Sequence, residues 1–311
     1  MKKANSVDEL LLSVCLITYN HADYIRDAID GVLKQKVNFD WELIIADDNS
    51  TDGTREIILE YKRLHPNFIH LILQEKNVGA AQNWLDLIST PKSKYIAYFE
   101  GDDYWIDPNK LQKQVDFLQA NPDYGLVFTD ADHFYEKTGK TIKAYDKTFK
   151  RKIPTGEVFE ELLFLNPYKS CTSVFRNTLV RKNYDLILKK HFRLGDKMFW
   201  LVLSSESKVG YLNNSTALYR LRDESASHFG DFKKQLKFSK NDYKRTILLS
   251  SIYNHNIDKK KLKLAFNKRI ISICMDNGHY KELINYCSNP FLIIRIAIKE
   301  KILRKIIYLF R

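Results

Sequence analysis

The chain has 311 residues, 44% of them hydrophobic and 13% aromatic, enough for a sizeable core and too apolar for a disordered polymer. Its formal charge of +12 is unevenly placed: residues 232–311 hold 19 Lys and Arg against 5 Asp and Glu, a net +14 that leaves −2 for everything before them. No uninterrupted apolar run approaches the ~20 residues of a membrane-spanning helix, and the opening Met1 to Glu9 lacks the apolar stretch of a secretory signal.

Over the first 130 residues short apolar runs alternate with helical patterns, which predicts an α/β fold with a mostly parallel sheet and crossover helices. The first strand is expected at Leu11 to Thr18, followed by a helix over Ala22 to Lys36. Glu42 to Ala46 reads as the second strand and Thr54 to Leu64 as its helix. His70 to Gln74 and Gly79 to Ser89 form the third pair, Tyr95 to Phe99 and Lys110 to Ala120 the fourth, and Gly125 to Thr129 the fifth strand. Pro66, Pro91 and Pro122 stand at the joins, where proline ends a helix. Residues 135–154 are polar and basic and read as a loop or hairpin that closes over a ligand site. A helix near Val158 to Leu165, a strand near Ser170 to Phe175 and a helix starting close to Asp196 complete a first domain at 1–230. Its halves divide at residue 130, and residues 231–311 read as a separate helical, basic region. Cys15, Cys171, Cys274 and Cys287 are scattered among apolar neighbours, the pattern of reduced, buried thiols in a cytoplasmic protein.

Open sheets of this kind bind ligands beyond the carboxyl ends of their strands, and the predicted strands end in polar clusters. These are Thr18-Tyr19-Asn20, Asp47-Asp48-Asn49-Ser50 and Glu100-Gly101-Asp102-Asp103. Packing does not call for several carboxylates at one rim, because burying them without compensation is costly. A divalent cation bound to a diphosphate meets that cost. Mg²⁺ or Mn²⁺ takes one or two protein carboxylates and completes its shell with phosphate oxygens and water. The competing reading, a solvated loop or a helix N-cap, suits Asp52 and Asp107, the latter just before Pro108. Asp102 and Asp103 instead follow a continuous apolar strand directly.

Four segments in order resemble family 2 of the glycosyltransferases, with bacterial members in view: Ser13 to Asn20, Ile44 to Thr54, Asn77 to Asn83 and Tyr95 to Leu111. The likeness covers about the first 230 residues, densely to Leu118 and thinly beyond. It implies the GT-A fold and inverting transfer of a sugar from a nucleoside-diphosphate donor, a UDP-sugar first of all. The implied acceptor is a glycan or lipid-linked molecule in cell-surface polysaccharide synthesis. The resemblance also implies a site. Thr18, Tyr19, Asn20, Asp47 and Asp48 bind the donor nucleotide, with Asp48 facing the base, and Asn77 and Asn83 close the base and ribose pocket. Asp103 takes the metal, Asp102 meets the ribose or shares that ligation, and Glu100, where many relatives carry Asp, supports them.

The base implied by the resemblance is an aspartate opening a later helix, which puts Asp196 of Leu194-Gly195-Asp196-Lys197 in that role. Inversion requires such a group, since the acceptor hydroxyl loses a proton as it attacks the anomeric carbon, while the metal acts as a Lewis acid on the departing diphosphate. The other reading of Asp196 is a plain N-cap. Tyr219 to His228 resembles the segment after the base helix; many relatives carry His two places after the arginine at Arg220, and here Arg222 occupies that place. A cation there is able to contact the diphosphate. Trp105 and Trp200 fit either sugar stacking or core packing.

At the end of the chain, Ile298, Ile302, Leu303, Ile306, Leu309 and Phe310 share one face at about 100° per residue, opposite Glu300, Lys301, Arg304, Lys305 and Arg311. Such a helix suits either an anionic membrane surface or docking on the protein's own domain. The expectation is peripheral attachment to the inner face of a membrane, without nucleic acid as a partner. Two rival functions fare worse. A catalytically silent docking partner would have lost its acids, yet Asp48, Asp102, Asp103 and Asp196 are all present. A haloacid dehalogenase-type phosphatase is approximated by Asp47-x-Asn49-x-Thr51, which has an amide where the general acid belongs.

Overall fold

A computed structural model describes residues 10–188, 195–222, 231–253 and 258–279. The chain divides into two compact units, Met1–Leu221 and Arg222–Arg311.

In the first unit β1 (Leu12–Thr18), α1 (Ile25–Leu33), β2 (Trp41–Asp47), α2 (Thr54–Leu64), β3 (Ile69–Leu73), α3 (Ala80–Ser89) and β4 (Tyr95–Glu100) alternate as the periodicity predicts. Their strands pair in parallel in the order β3-β2-β1-β4. Every residue of β1 is buried, which accounts for an apolar run without alternation: a central parallel strand is covered on both faces. Helix α1 buries Ile25, Ala28, Ile29 and Val32 on one stripe. Gly31 lies against the chain after β4, where a Cβ would stand 2.9 Å from the backbone N and O of Trp105. The helix reaches that segment because it has no side chain there.

Beyond β4 come β5 (Tyr104–Trp105), α4 (Lys110–Ala120), β6 (Tyr124–Tyr135), β7 (Lys140–Ile142), α5 (Tyr145–Thr148), α6 (Phe159–Phe164), β8 (Ser173–Arg176), α7 (Asn177–Lys182), α8 (Tyr184–Leu188), α9 (Asp196–Ser204) and β9 (Lys208–Leu221). The sheet continues β4-β8-β6-β9-β5, with β7 on β6. Strand β8 runs antiparallel to β4 and β6, while β9 is parallel to β6 and antiparallel to β5. Strand β9 is not among the elements expected from the sequence; its Asn213-Asn214-Ser215 has the composition of a turn. In the structure β6 steps from Leu212 to Ser215 of its partner between Thr129 and Asp130, so the polar residues are absorbed in a bulge and the strand continues.

The basic stretch after β6 is a hairpin. It turns through a 3-10 segment, Glu136–Thr138, into β7 and then α5. Two acids of β6 pin it: Asp130 accepts the amides of Asp146 and Lys147 at 3.0 and 3.1 Å, and Asp132 accepts that of Ala144 at 2.8 Å. Ala144 has φ 42, a left-handed conformation that disfavours a side chain; the Asp132 bond holds it there.

The second unit contains α10 (Phe232–Ile252) and α11 (Lys259–Asp276), capped by Asp231 and Asp258 and packed around Phe232, Ile270, Ile271 and Cys274. Among the described residues no helix is long and apolar enough to cross a membrane. The amphipathic stretch at 298–311 and His228 lie outside the described residues.

Candidate active site

The ends of β1 and β2 are stitched together by backbone and side-chain bonds. Asn20 and Asn49 adopt φ 53 and φ 60, a left-handed turn that Asn tolerates. The Asn20 amide donates to Ser50 Oγ at 2.9 Å, and the Thr51 amide returns a bond to Asn20 Oδ1 at 2.9 Å. The Asp48 amide donates to the Thr18 carbonyl at 3.1 Å. Thr18, Asn20 and Asp48 therefore share one rim, from which Tyr19 projects 44% exposed. The Asp48 carboxylate accepts the Val78 amide at 2.7 Å and so anchors the segment holding exposed Asn77. Asn83 is fully buried; its side chain donates to the Ala46 carbonyl at 3.1 Å and fixes α3 to β2. Asp47 is also fully buried, paired with Arg55 Nε at 2.6 Å, while Arg55 Nη2 donates to the Gln74 carbonyl at 2.8 Å.

At the end of β4 the acids divide by environment. Glu100 accepts the Tyr98 hydroxyl at 3.1 Å and the Ser170 hydroxyl at 2.6 Å. Gly101 presses on β1: a Cβ there would stand 2.9 Å from Thr18 Oγ1 and 3.1 Å from His21 Nδ1. Asp103 is 2% exposed, and its Oδ1 accepts the Arg220 amide at 2.8 Å. Asp102 is half-buried, with Oδ2 3.9 Å from His21 Nε2. Its carbonyl accepts Arg220 Nε at 2.8 Å. The Arg220 guanidinium lies 4.7 Å from the Tyr24 ring centre and 5.5 Å from that of Phe134. Its Nη2 is 3.5 Å from Asp27. Arg220 is thus a clamp on the acidic loop. The sequence places Arg220 beside the site as a supporting residue, but not its bonds to the acidic loop, because β9, which carries it, is not read there as a strand.

Asp196 opens α9 one position inside its N-cap, Gly195, and no side-chain cap bond forms there. The plain N-cap reading therefore does not describe it. Its side chain is exposed, yet protein mass around it raises the carboxyl above the ordinary range, with Lys169 pulling the other way. Burial also pushes the Glu100 carboxyl well up, reinforced by Asp196, Asp103 and Asp102. Asp103 is pushed well up by burial and then by Asp102. Four acids thus crowd one region, and a cation relieves that crowding. Glu100 and Asp102 offer the hard oxygen donors that Mg²⁺ or Mn²⁺ takes. Among the described residues no group of three or more His, Cys, Asp and Glu is arranged to hold a metal by itself, so a diphosphate would have to supply the rest.

The two tryptophans lie in the core. Trp105 is 4% exposed, donates Nε1–H to the Cys171 carbonyl at 2.9 Å and rests 4.7 Å from Phe99, centre to centre, with Lys110 Nζ 4.4 Å over its ring. Trp200 is 1% exposed and meets Phe128 edge-on at 4.9 Å. Neither ring has a face free for a sugar. Arg222 follows the carboxyl end of β9.

Residues 13–182 match the family model described as glycosyl transferase family 2. The chain is 43% identical over 174 residues to an uncharacterized protein of Mycobacterium tuberculosis, 56% of this chain and 48% of that one, so it spans about half the length of that curated relative. It is 34% identical over 234 residues to WfgD of Escherichia coli, the UDP-Glc:alpha-D-GlcNAc-diphosphoundecaprenol beta-1,3-glucosyltransferase, 74% of this chain and 85% of that one. The fold is similar to that of the mannosyltransferase PcManGT from Pyrobaculum calidifontis in complex with GDP-Man and Mn²⁺. The TM-score is 0.58 at 14% identity, over 94% of this chain and 87% of that one. That likeness is to the GT-A fold which the sequence implies.

Proposed function

The chain belongs to glycosyl transferase family 2, and from that premise we propose that it moves a sugar from a nucleoside-diphosphate donor to a glycan or lipid-linked acceptor, with inversion and a divalent metal, in polysaccharide synthesis. The observation that carries this reading is that Asp196, the first residue of α9, adds its charge to those of Asp103 and Asp102 at Glu100. The 34% identity to WfgD supports a UDP-sugar and a diphosphate-linked acceptor over the GDP-sugar of the more distant mannosyltransferase.

In this reading the nucleoside lies along Thr18, Tyr19, Asn20 and Asp48, with Asn77 at its edge. Asp47 and Asn83 act behind them by holding the loops, through the Arg55 pair and the Ala46 carbonyl. Glu100 and Asp102 would hold Mn²⁺ or Mg²⁺ together with the donor diphosphate. The reading moves the metal from Asp103 to Asp102, because Asp103 is 2% exposed whereas Asp102 and Glu100 are half-buried. When bound, the metal supplies positive charge to the leaving diphosphate. Asp196 takes the proton of the acceptor hydroxyl as that oxygen bonds to the anomeric carbon. The bond from that carbon to the diphosphate oxygen breaks, and its electron pair leaves with the nucleoside diphosphate. Arg220 keeps the backbone of the acidic loop in register throughout.

The test is incubation of the full chain with UDP-Glc, UDP-GlcNAc and GDP-Man in Mn²⁺, Mg²⁺ or EDTA, with nucleotide release and donor binding followed. Release from a UDP-sugar that depends on the metal is expected. Equal turnover in EDTA, or no binding of any nucleotide sugar, would overturn the reading.

A further inference from the structure

Residues 137–152 hold seven Lys and Arg against one Asp, whereas the rest of residues 1–221 holds 23 against 29. The hairpin is therefore a basic strap on an otherwise acidic unit. Lys143, Lys147 and Lys150 are exposed on it, and its backbone is pinned by Asp130 and Asp132 rather than left to drift. Arg151 is held by Asp146 at 2.5 Å. A further cation faces the strap from outside it. Lys169 is half-buried, with its ammonium 4.9 Å from the Tyr219 ring centre. It forms no ion pair with a described residue. Its charge is felt by both Asp196 and the Arg151–Asp146 pair.

Position in the sheet separates this cation from the nucleotide. The rim of Thr18 and Asp48 belongs to β1 and β2, on one side of β4. Lys169 precedes β8, and the strap hangs from β6, both on the other side. The donor's diphosphate belongs with Glu100 and Asp102 at β4 itself. The carboxylates that attract the Lys169 ammonium are Asp196 and Asp146, the second already paired with Arg151, so an incoming anion adds to a half-buried charge that is only partly compensated. In a lipid-linked acceptor the attacked hydroxyl and the anomeric diphosphate lie one sugar ring apart. A hydroxyl at Asp196 thus delivers its own diphosphate to the neighbourhood of Lys169, and lysine is suited to phosphate as a point charge.

We propose that the acceptor carries a diphosphate and that Lys169, with Lys143, Lys147 and Lys150 of the strap, binds it beside Asp196. The inference rests on the transfer reading above and names the acceptor chemistry of that same site.

The experiment titrates the full chain with N-acetylglucosaminyl diphosphate carrying a phenoxyundecyl tail, and with the neutral octyl glycoside of the same sugar. Wild type, Lys169→Ala, Lys169→Arg and the triple variant Lys143→Ala, Lys147→Ala, Lys150→Ala are compared. Loss of one charge-assisted hydrogen bond predicts that Lys169→Ala weakens binding of the diphosphate probe about tenfold or more, with Lys169→Arg restoring most of it. The triple variant is expected to weaken binding several-fold and to flatten its salt dependence. Affinity for the octyl glycoside and for the nucleotide sugar is expected to move by less than about twofold. Equal effects on both acceptor probes, or a loss confined to the nucleotide sugar, overturn the proposal. Because this readout is binding, it remains decisive if turnover fails: failure of nucleotide sugar binding counts against the transfer reading, and indifference of the diphosphate probe to Lys169 counts against this inference.

Discussion

Lys110 offers a quantitative test of the packing under the acidic loop. It is fully buried at the start of α4, its ammonium donates to Gln114 Oε1 at 2.6 Å and stands 4.4 Å from the Trp105 ring centre, and burial lowers it from 10.5 to about 7. In the unfolded chain this lysine titrates near the usual value of about 10.4. Between those values the unfolded state holds a proton that the folded state has released, so stability rises with pH. The slope starts at half of about 1.4 kcal/mol per pH unit near pH 7, where the folded lysine is half charged, and integrates to about 1.5 kcal/mol by about pH 8.5. Above that range Cys15 and Cys171, whose thiols burial pushes well up, act in the opposite sense. Lys110→Met keeps the length of the side chain, packs a thioether against Trp105 and removes the titration. Urea unfolding in reducing buffer, followed by tryptophan fluorescence, isolates the effect, since all four tryptophans, Trp41, Trp84, Trp105 and Trp200, lie in the first unit. Wild type is expected to gain about 1.5 kcal/mol relative to the variant across the window. Parallel curves would show that Lys110 keeps its proton in the core, and the reasoning would fail.

Gly101→Ala drives a methyl group toward Thr18 Oγ1, His21 Nδ1 and Ile25 Cδ1, at 2.9, 3.1 and 3.1 Å. A stability loss of about 1–3 kcal/mol and weaker metal-dependent donor binding are expected, measured by thermal unfolding and donor titration. Arg55→Met leaves the fully buried Asp47 without its ion partner. That should cost about 3–5 kcal/mol, much of it recovered in the double variant with Asp47→Asn, as read from urea midpoints.

The parallel half of the sheet is legible in the sequence because β1 and β4 are apolar along nearly their whole length and each ends abruptly in polar residues. The helices between them show their buried stripes at helical spacing, so α2 and α4 fall at their expected bounds. The other half is hidden by local chemistry that tertiary pairing overrides. Asn213-Asn214-Ser215 looks like a turn and is a bulge. With β9 unread, the Arg220 clamp has no visible partner, and nothing in Asp102-Asp103 says which carboxylate faces inward. Burial decides that, and burial here depends on a strand more than a hundred residues away. Trp105 and Trp200 show the same limit, since an aromatic residue next to acids reads alike whether its ring is in the core or in a cleft. Lys169 was invisible for the converse reason: its meaning comes from Asp196 and the strap, which meet it only in the fold.

The central claim is that Asp196 acts on the acceptor while Glu100 and Asp102 serve the donor. Its most direct test is Asp196→Asn, assayed in Mn²⁺ for sugar transfer and, separately, for nucleotide sugar binding. The substitution keeps the shape of the first turn of α9 and removes the proton acceptor. Transfer should fall by about a hundredfold or more, with donor affinity within about twofold of wild type. Near-normal transfer, or a loss of donor binding that matches the loss of transfer, would contradict the account.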